Sequence, residues 1–144
     1  MWADTLFAAE RAHVIRIALW AMASIAVGTA IFLLPGVRRR SLPLLRHFAL
    51  QSVGWGAVEL AIFLVGRSSL GLRDLGSARQ LERIVWLNCG LDVAYVAIGV
   101  TLAVTCWTLG RRIEGVGAGA GIVTQGAALL TLHLAFASTL IRLA

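Results

Sequence analysis

The chain has 144 residues, of which 59% are hydrophobic and 14% charged, and its mean hydropathy is +0.85. That balance excludes a water-soluble domain and fits an integral membrane protein. Four crossings at roughly 20 apolar residues each use about 80 residues, which leaves short loops and no soluble catalytic domain. The formal charge of +6 comes from 13 basic residues, all of them arginine. Apart from Arg16 they lie outside the apolar runs, where guanidinium groups meet lipid phosphates, so membrane lipid is the expected partner of this charge and nucleic acid is not.

The first apolar run covers residues 14–34. The segment before it carries Asp4 and Glu10, and no small-residue cleavage end follows the run, so the N-terminus is expected to stay rather than to leave as a signal peptide. Asp4 or Thr5 is a candidate helix cap, and Pro35-Gly36 ends the run ahead of the basic loop Arg38-Arg39-Arg40. The second run, residues 45–65, is interrupted by Gln51, Ser52 and Glu59 and closed by Gly66. In the polar segment that follows, Ser77-Ala78-Arg79-Gln80 has the pattern of a capping box, which predicts a third helix from near Ala78 to Leu109 with its crossing at 84–109. The fourth crossing, residues 121–141, follows Gly115, Gly117, Gly119 and Gly121.

Glycine at every second position is poor helix former in water. Within a membrane it lets two backbones approach, and Ser24 with Gly28 and Gly117 with Gly121 repeat that small-residue spacing. Open strands would leave backbone groups unpaired in lipid, and the runs lack the alternation of a barrel. The expected fold is all-α, a single membrane domain built as an antiparallel four-helix bundle.

Both termini and the loop after helix two then share one side. The arginine count is nearly even, with six residues in the first and third loops and seven elsewhere. The cluster just after the first helix favours the triple-arginine loop in the cytoplasm and the termini outside. Trp86 and Trp107 bracket the third crossing as interfacial anchors. The expected location is a bacterial inner membrane.

Ionisable groups inside the bilayer are the first candidates for function, because each is costly unless paired or hydrated. Glu59 and Asp92 come out about 10 Å below the same membrane face, and His133 about 13 Å below it, at 1.5 Å per helical residue. Arg16 is read as shallower, with a side chain that reaches down. Asn88, Asp92 and Tyr95 share one face of helix three, Ser52, Trp55 and Glu59 share one of helix two, and Gln125 stands on helix four. These residues predict a buried polar cluster or ligand site of Arg16, Ser52, Glu59, Asn88, Asp92, Tyr95, Gln125 and His133. One reading is a network of ion pairs, Arg16 with Asp92 and His133 with Glu59, that fixes helix neighbours. The other is a binding or proton-relay site.

Other chemistries fit poorly. Cys89 and Cys106 are about seventeen positions apart on one helix, too far to bridge or to share a metal. His13 and His47 are read as lying near opposite membrane ends, which leaves His133 without a partner for bis-histidine haem ligation and only as a lone pigment ligand. Ser52 and Ser138 lack a nucleophile context, and the glycine series follows no strand as a dinucleotide site requires. No cofactor, metal or catalytic residue is expected.

The pattern N-x-G-L-D-x-x-Y, formed by Asn88, Gly90, Leu91, Asp92 and Tyr95, and the pattern G-x-G-x-x-x-Q-G, ending at Gln125-Gly126, resemble an uncharacterised bacterial family of small four-helix membrane proteins, a domain-of-unknown-function family. The stretch from Arg46-His47-Phe48 through Trp55 to Glu59 is similar to its second helix. The chain departs from the family in offering Ser52, Gly56 and Glu59 where asparagines are usual, and His133 where helix four usually has an aspartate. The resemblance implies the fold and no activity. The expected function is that of a structural or accessory subunit of a larger respiratory or photosynthetic membrane complex, not an enzyme. The alternative is a small proton-linked transporter or polar-ligand-binding membrane protein, with other subunits or further copies of the chain as partners.

Overall fold

The computed structural model describes residues 2–143, as five helices and one short 3-10 turn. The helices are α1 (Trp2–Leu33), α2 (Pro35–Arg38), α3 (Pro43–Gly66), α4 (Leu75–Thr108) and α5 (Ile113–Leu143). Four of these are long and apolar enough to cross a membrane. The protein is an all-α, four-span membrane protein whose long helices pack as a bundle with antiparallel contacts.

Local chemistry sets the boundaries. Pro35 and Pro43 stand in the first turns of α2 and α3, where a missing N–H costs nothing. Gly110, at φ 123°, closes α4 with a conformation that side-chain-bearing residues avoid. Three expected boundaries are corrected. The first helix begins at Trp2, so Asp4 and Thr5, the expected caps of its start, lie inside it. Leu6, Glu10 and His13 make that extension helical, because they continue the inward stripe of Ala21, Ser24 and Gly28. The α4 cap is Asp74 and not Ser77: its Oδ1 accepts from the Ser77 amide at 2.8 Å and from the Ser77 hydroxyl at 2.6 Å. The fourth helix begins at Ile113, so the glycine series lies within it and not ahead of it.

Those glycines carry the packing. A Cβ on Gly99 of α4 would stand 2.8 Å from the Gly119 carbonyl of α5, so the two backbones touch where both residues lack side chains. Gly117 likewise lies directly against the Leu44 backbone carbonyl of α3. The α4 backbone approaches α5 closely, whereas neither α1 nor α3 is drawn tightly against it. A cleft therefore remains between α3 and α4. An apolar cluster of Leu6, Val85, Phe136, Ala137 and Leu140 closes the bundle at the end that holds both termini.

Aromatic residues bracket the apolar length of α4. Trp86 and Trp107 are both half exposed, and their separation along α4 is about 31 Å, the thickness of a hydrocarbon core. The Arg111 guanidinium lies over the Trp107 ring at 5.2 Å, and Arg46 lies over Phe32 at 5.9 Å, both on the side of the first and third loops.

Candidate functional site

Four helices bring polar groups to one layer. On α4, Asp92 is 3% exposed, and on α5, His133 is 7% exposed. The Nδ1 of His133 and the Oδ2 of Asp92 share a hydrogen bond of 2.6 Å, short enough for a charge-assisted bond. The expected pairing of His133 with Glu59 is therefore replaced by one with Asp92.

A second histidine joins them from α1. The His13 ring lies 5.3 Å from that of His133 and stacks on Phe136 at 4.3 Å with the planes 10° apart. The expected separation of His13 from His133 is corrected, because the two rings share one level of the bundle. With the helix running from Trp2, His13 stands about 16 Å along it. Its period with Leu6 and Glu10 was the available signal. Its Nδ1 is buried and has no hydrogen-bond partner among the described residues. His47, in contrast, stays at the far side, where its Nδ1 lies 3.0 Å from the Pro43 carbonyl.

Glu10, one turn before His13 on the same face, is buried and gripped by Arg73 from the loop ahead of α4. The grip is bidentate, with Nε donating to Oε2 at 2.8 Å and Nη2 donating to Oε1 at 2.5 Å. The Glu10 carboxylate, first by accepting these bonds, holds the Arg73 guanidinium above its already high ordinary pKa. Neither residue stood out in the sequence, since their separation of 63 positions gives no local pattern.

The cleft between α3 and α4 has a volume of about 230 Å³ and borders this layer. Its walls include Trp55, Glu59, Asn88, Asp92, Tyr95 and His133, together with aliphatic side chains from all four long helices. Trp55 and Tyr95 meet edge to face across the cleft with ring centroids 4.9 Å apart. Following the helix directions, this aromatic pair lies toward the bilayer centre, and Asn88 and Ile62 lie toward the membrane face. Glu59 is 4% exposed, and neither of its carboxyl oxygens has a hydrogen-bond partner among the described residues. Both oxygens are buried, although Glu59 itself lines the cleft.

Of the eight expected site residues, Glu59, Asn88, Asp92, Tyr95 and His133 meet at this cleft. Gln125 belongs to a separate layer nearer the other membrane face, where its Oε1 accepts from Trp20 Nε1 at 2.7 Å and its amide donates to Ser24 Oγ at 3.2 Å. Ser52 borders that second layer and donates to the Phe48 carbonyl. Arg16 belongs to neither: it is exposed in a groove between α1 and α5 beside Trp20 and Thr131, and it forms no pair with Asp92. It also stands about 4.5 Å farther along α1 than His13, deeper and not shallower than expected. Among the described residues, no group of three or more His, Cys, Asp or Glu side chains is arranged to hold a metal ion.

No curated protein and no solved structure matches the chain. A family match covers residues 16–134, which includes Glu59, Asp92 and His133 together with the aromatic pair of the cleft. The chain belongs to DUF6992, a family of unknown function.

Proposed function

We propose that the protein is a polar-solute-binding membrane protein that exchanges protons at the cleft between α3 and α4. The observation that carries this reading is Glu59, a buried carboxyl with both oxygens unpartnered beside an open volume. A carboxyl in apolar surroundings must hold a proton, a hydrogen-bond donor or a counter-charge. A purely structural network would satisfy it internally, as the network satisfies Asp92 through His133 and Glu10 through Arg73. The acid left without a partner borders the cleft, and an intramembrane acid so placed marks a solute or proton pathway.

The test is a thermal-stability screen of the purified protein against small polar amines, carboxylates, sugars and zwitterions. At least one class is expected to stabilise the native protein, and to stabilise it less in Glu59→Gln. Failure of every class, or equal stabilisation of the variant, overturns the proposal.

One observation favours a second reading, an accessory subunit in a larger membrane assembly. Arg16 faces outward with no acid in ion-pair contact among the described residues. An arginine at such depth calls for an anionic group from a neighbouring chain or a lipid. Purification from native membranes in mild detergent tests this reading, which predicts a stable companion that Arg16→Leu releases.

A further inference from the structure

We infer that the solute class taken by the cleft is an organic cation with an apolar body, bound in exchange for a proton on Glu59; this rests on the reading of the cleft as a solute site. Charge excludes the other classes. The ionisable cleft residues are two acids, Glu59 and Asp92, with His133 and Tyr95, and neither arginine nor lysine borders the cleft. Asp92 is already engaged by His133, so Glu59 is the acid free to receive a partner. An anion would meet a second carboxylate with no fixed cation to offset it.

The walls give the second argument. Trp55 and Tyr95, packed edge to face, both line the cleft that Glu59 lines, and aromatic faces attract cations through their quadrupole. The remaining lining is mostly aliphatic and offers no ring of oxygen ligands, so a hydrated metal ion finds no replacement for its water shell. A volume of about 230 Å³ suits a small amine carrying a hydrocarbon group. Asn88, toward the membrane face, supplies a carbonyl for an ammonium hydrogen bond.

The Glu59 oxygens are buried, so contact follows rotation of the Glu59 side chain into the cleft it lines. The exchange balances simply: the ammonium pairs with the Glu59 carboxylate, and the proton that had neutralised the carboxyl leaves to water. His13 from α1, Asp92 and Tyr95 from α4 and His133 from α5 are the titratable groups around this event. Since a proton is released, binding strengthens as pH rises while the amine stays charged.

Benzylammonium, benzyl alcohol and benzoate, which share one ring and differ in charge, are titrated by calorimetry into the full chain in detergent. Repeating the titration in buffers of different ionisation heat counts the protons released. Benzylammonium is expected to bind at least about tenfold tighter than the other two and to release close to one proton, with both effects lost in Glu59→Gln. Trp55→Leu is expected to weaken it about five- to thirtyfold while leaving the proton release intact. Equal binding of the alcohol, preference for benzoate, absence of benzylammonium binding or absence of proton release overturns the inference. The comparison of the three probes on the native chain decides the matter even where a variant fails to fold. Glu59-dependent binding of the alcohol or benzoate would remove the cation class and leave the solute site standing, whereas failure of every solute in the wider screen would remove both.

Discussion

Replacing Asp92 by leucine removes the hydrogen-bond partner of His133 while roughly conserving volume, and the geometry sets the size of the effect. The two side chains are 4% and 9% exposed and lie 2.6 Å apart, so each loses a largely buried partner once the other is gone. Stranding a neutral buried imidazole costs about 1–3 kcal/mol, and breaking a buried ion pair costs about 3–5 kcal/mol. His133→Leu strands the Asp92 carboxyl and belongs in the same range. The double variant leaves no orphan from this pair, and such apolar replacements are often close to neutral. The cycle should therefore show a coupling of about 2–4 kcal/mol, with the double variant more stable than the sum of the singles. Denaturing-detergent titration in mixed micelles, followed by tryptophan fluorescence, measures each leg. A coupling below about 0.5 kcal/mol would refute the claim that this pair ties α4 to α5.

Four further outcomes follow from other parts of the bundle. Gly119→Leu places a side chain where a Cβ already comes within 2.8 Å of the Ala103 amide, and should cost about 1–3 kcal/mol or more in the same titration, whereas Gly90→Ala, which opens onto free space, should cost far less. Arg73→Gln breaks the bidentate grip on Glu10 and should speed amide exchange in residues 67–74 by about tenfold or more, measured by mass spectrometry. The Ser77 hydroxyl, followed by the Ser77 amide, holds the Asp74 carboxyl below its ordinary value of 3.8. Its support of the α4 start is thus complete above that value and lost as pH falls through the lower folded-state value, so acid should loosen the first turn of α4 in native protein and make little difference in Asp74→Ala. Cysteines introduced at Arg39 and Arg111 should label from one side of the membrane and one at Ser77 from the other, and labelling of all three from one side would contradict four crossings.

The parts of this architecture legible in sequence were those that depend on local pattern. Four apolar runs, the Pro35-Gly36 stop and a glycine series sufficed for the bundle, and the spacing of Asn88, Asp92 and Tyr95 placed them on one inward face. Depth arithmetic brought Glu59, Asp92 and His133 to one level, but depth carries no azimuth. It therefore left open which acid His133 meets, and the structure assigns Asp92. His13 was read as standing apart from His133, whereas Glu10 and His13 are buried by continuing the stripe of Leu6. The grip of Arg73 on Glu10 and the meeting of Trp55 with Tyr95 depend on how helices distant in sequence are arranged, which no periodicity encodes. Arg16 shows the converse error, since its charge suggested a buried partner and its helical position turns it outward.

Glu59, as the exchangeable group of the cleft, is the residue on which the proposed function depends most. The most direct measurement is infrared difference spectroscopy of the protein in lipid bilayers, recorded before and after addition of a solute selected by the stability screen. The protonated-carboxyl band that disappears in Glu59→Gln should lose intensity when the solute binds, with matching growth of a carboxylate band. If that band is unchanged by a solute that demonstrably binds, Glu59 does not exchange its proton at the cleft, and the proposed function is contradicted.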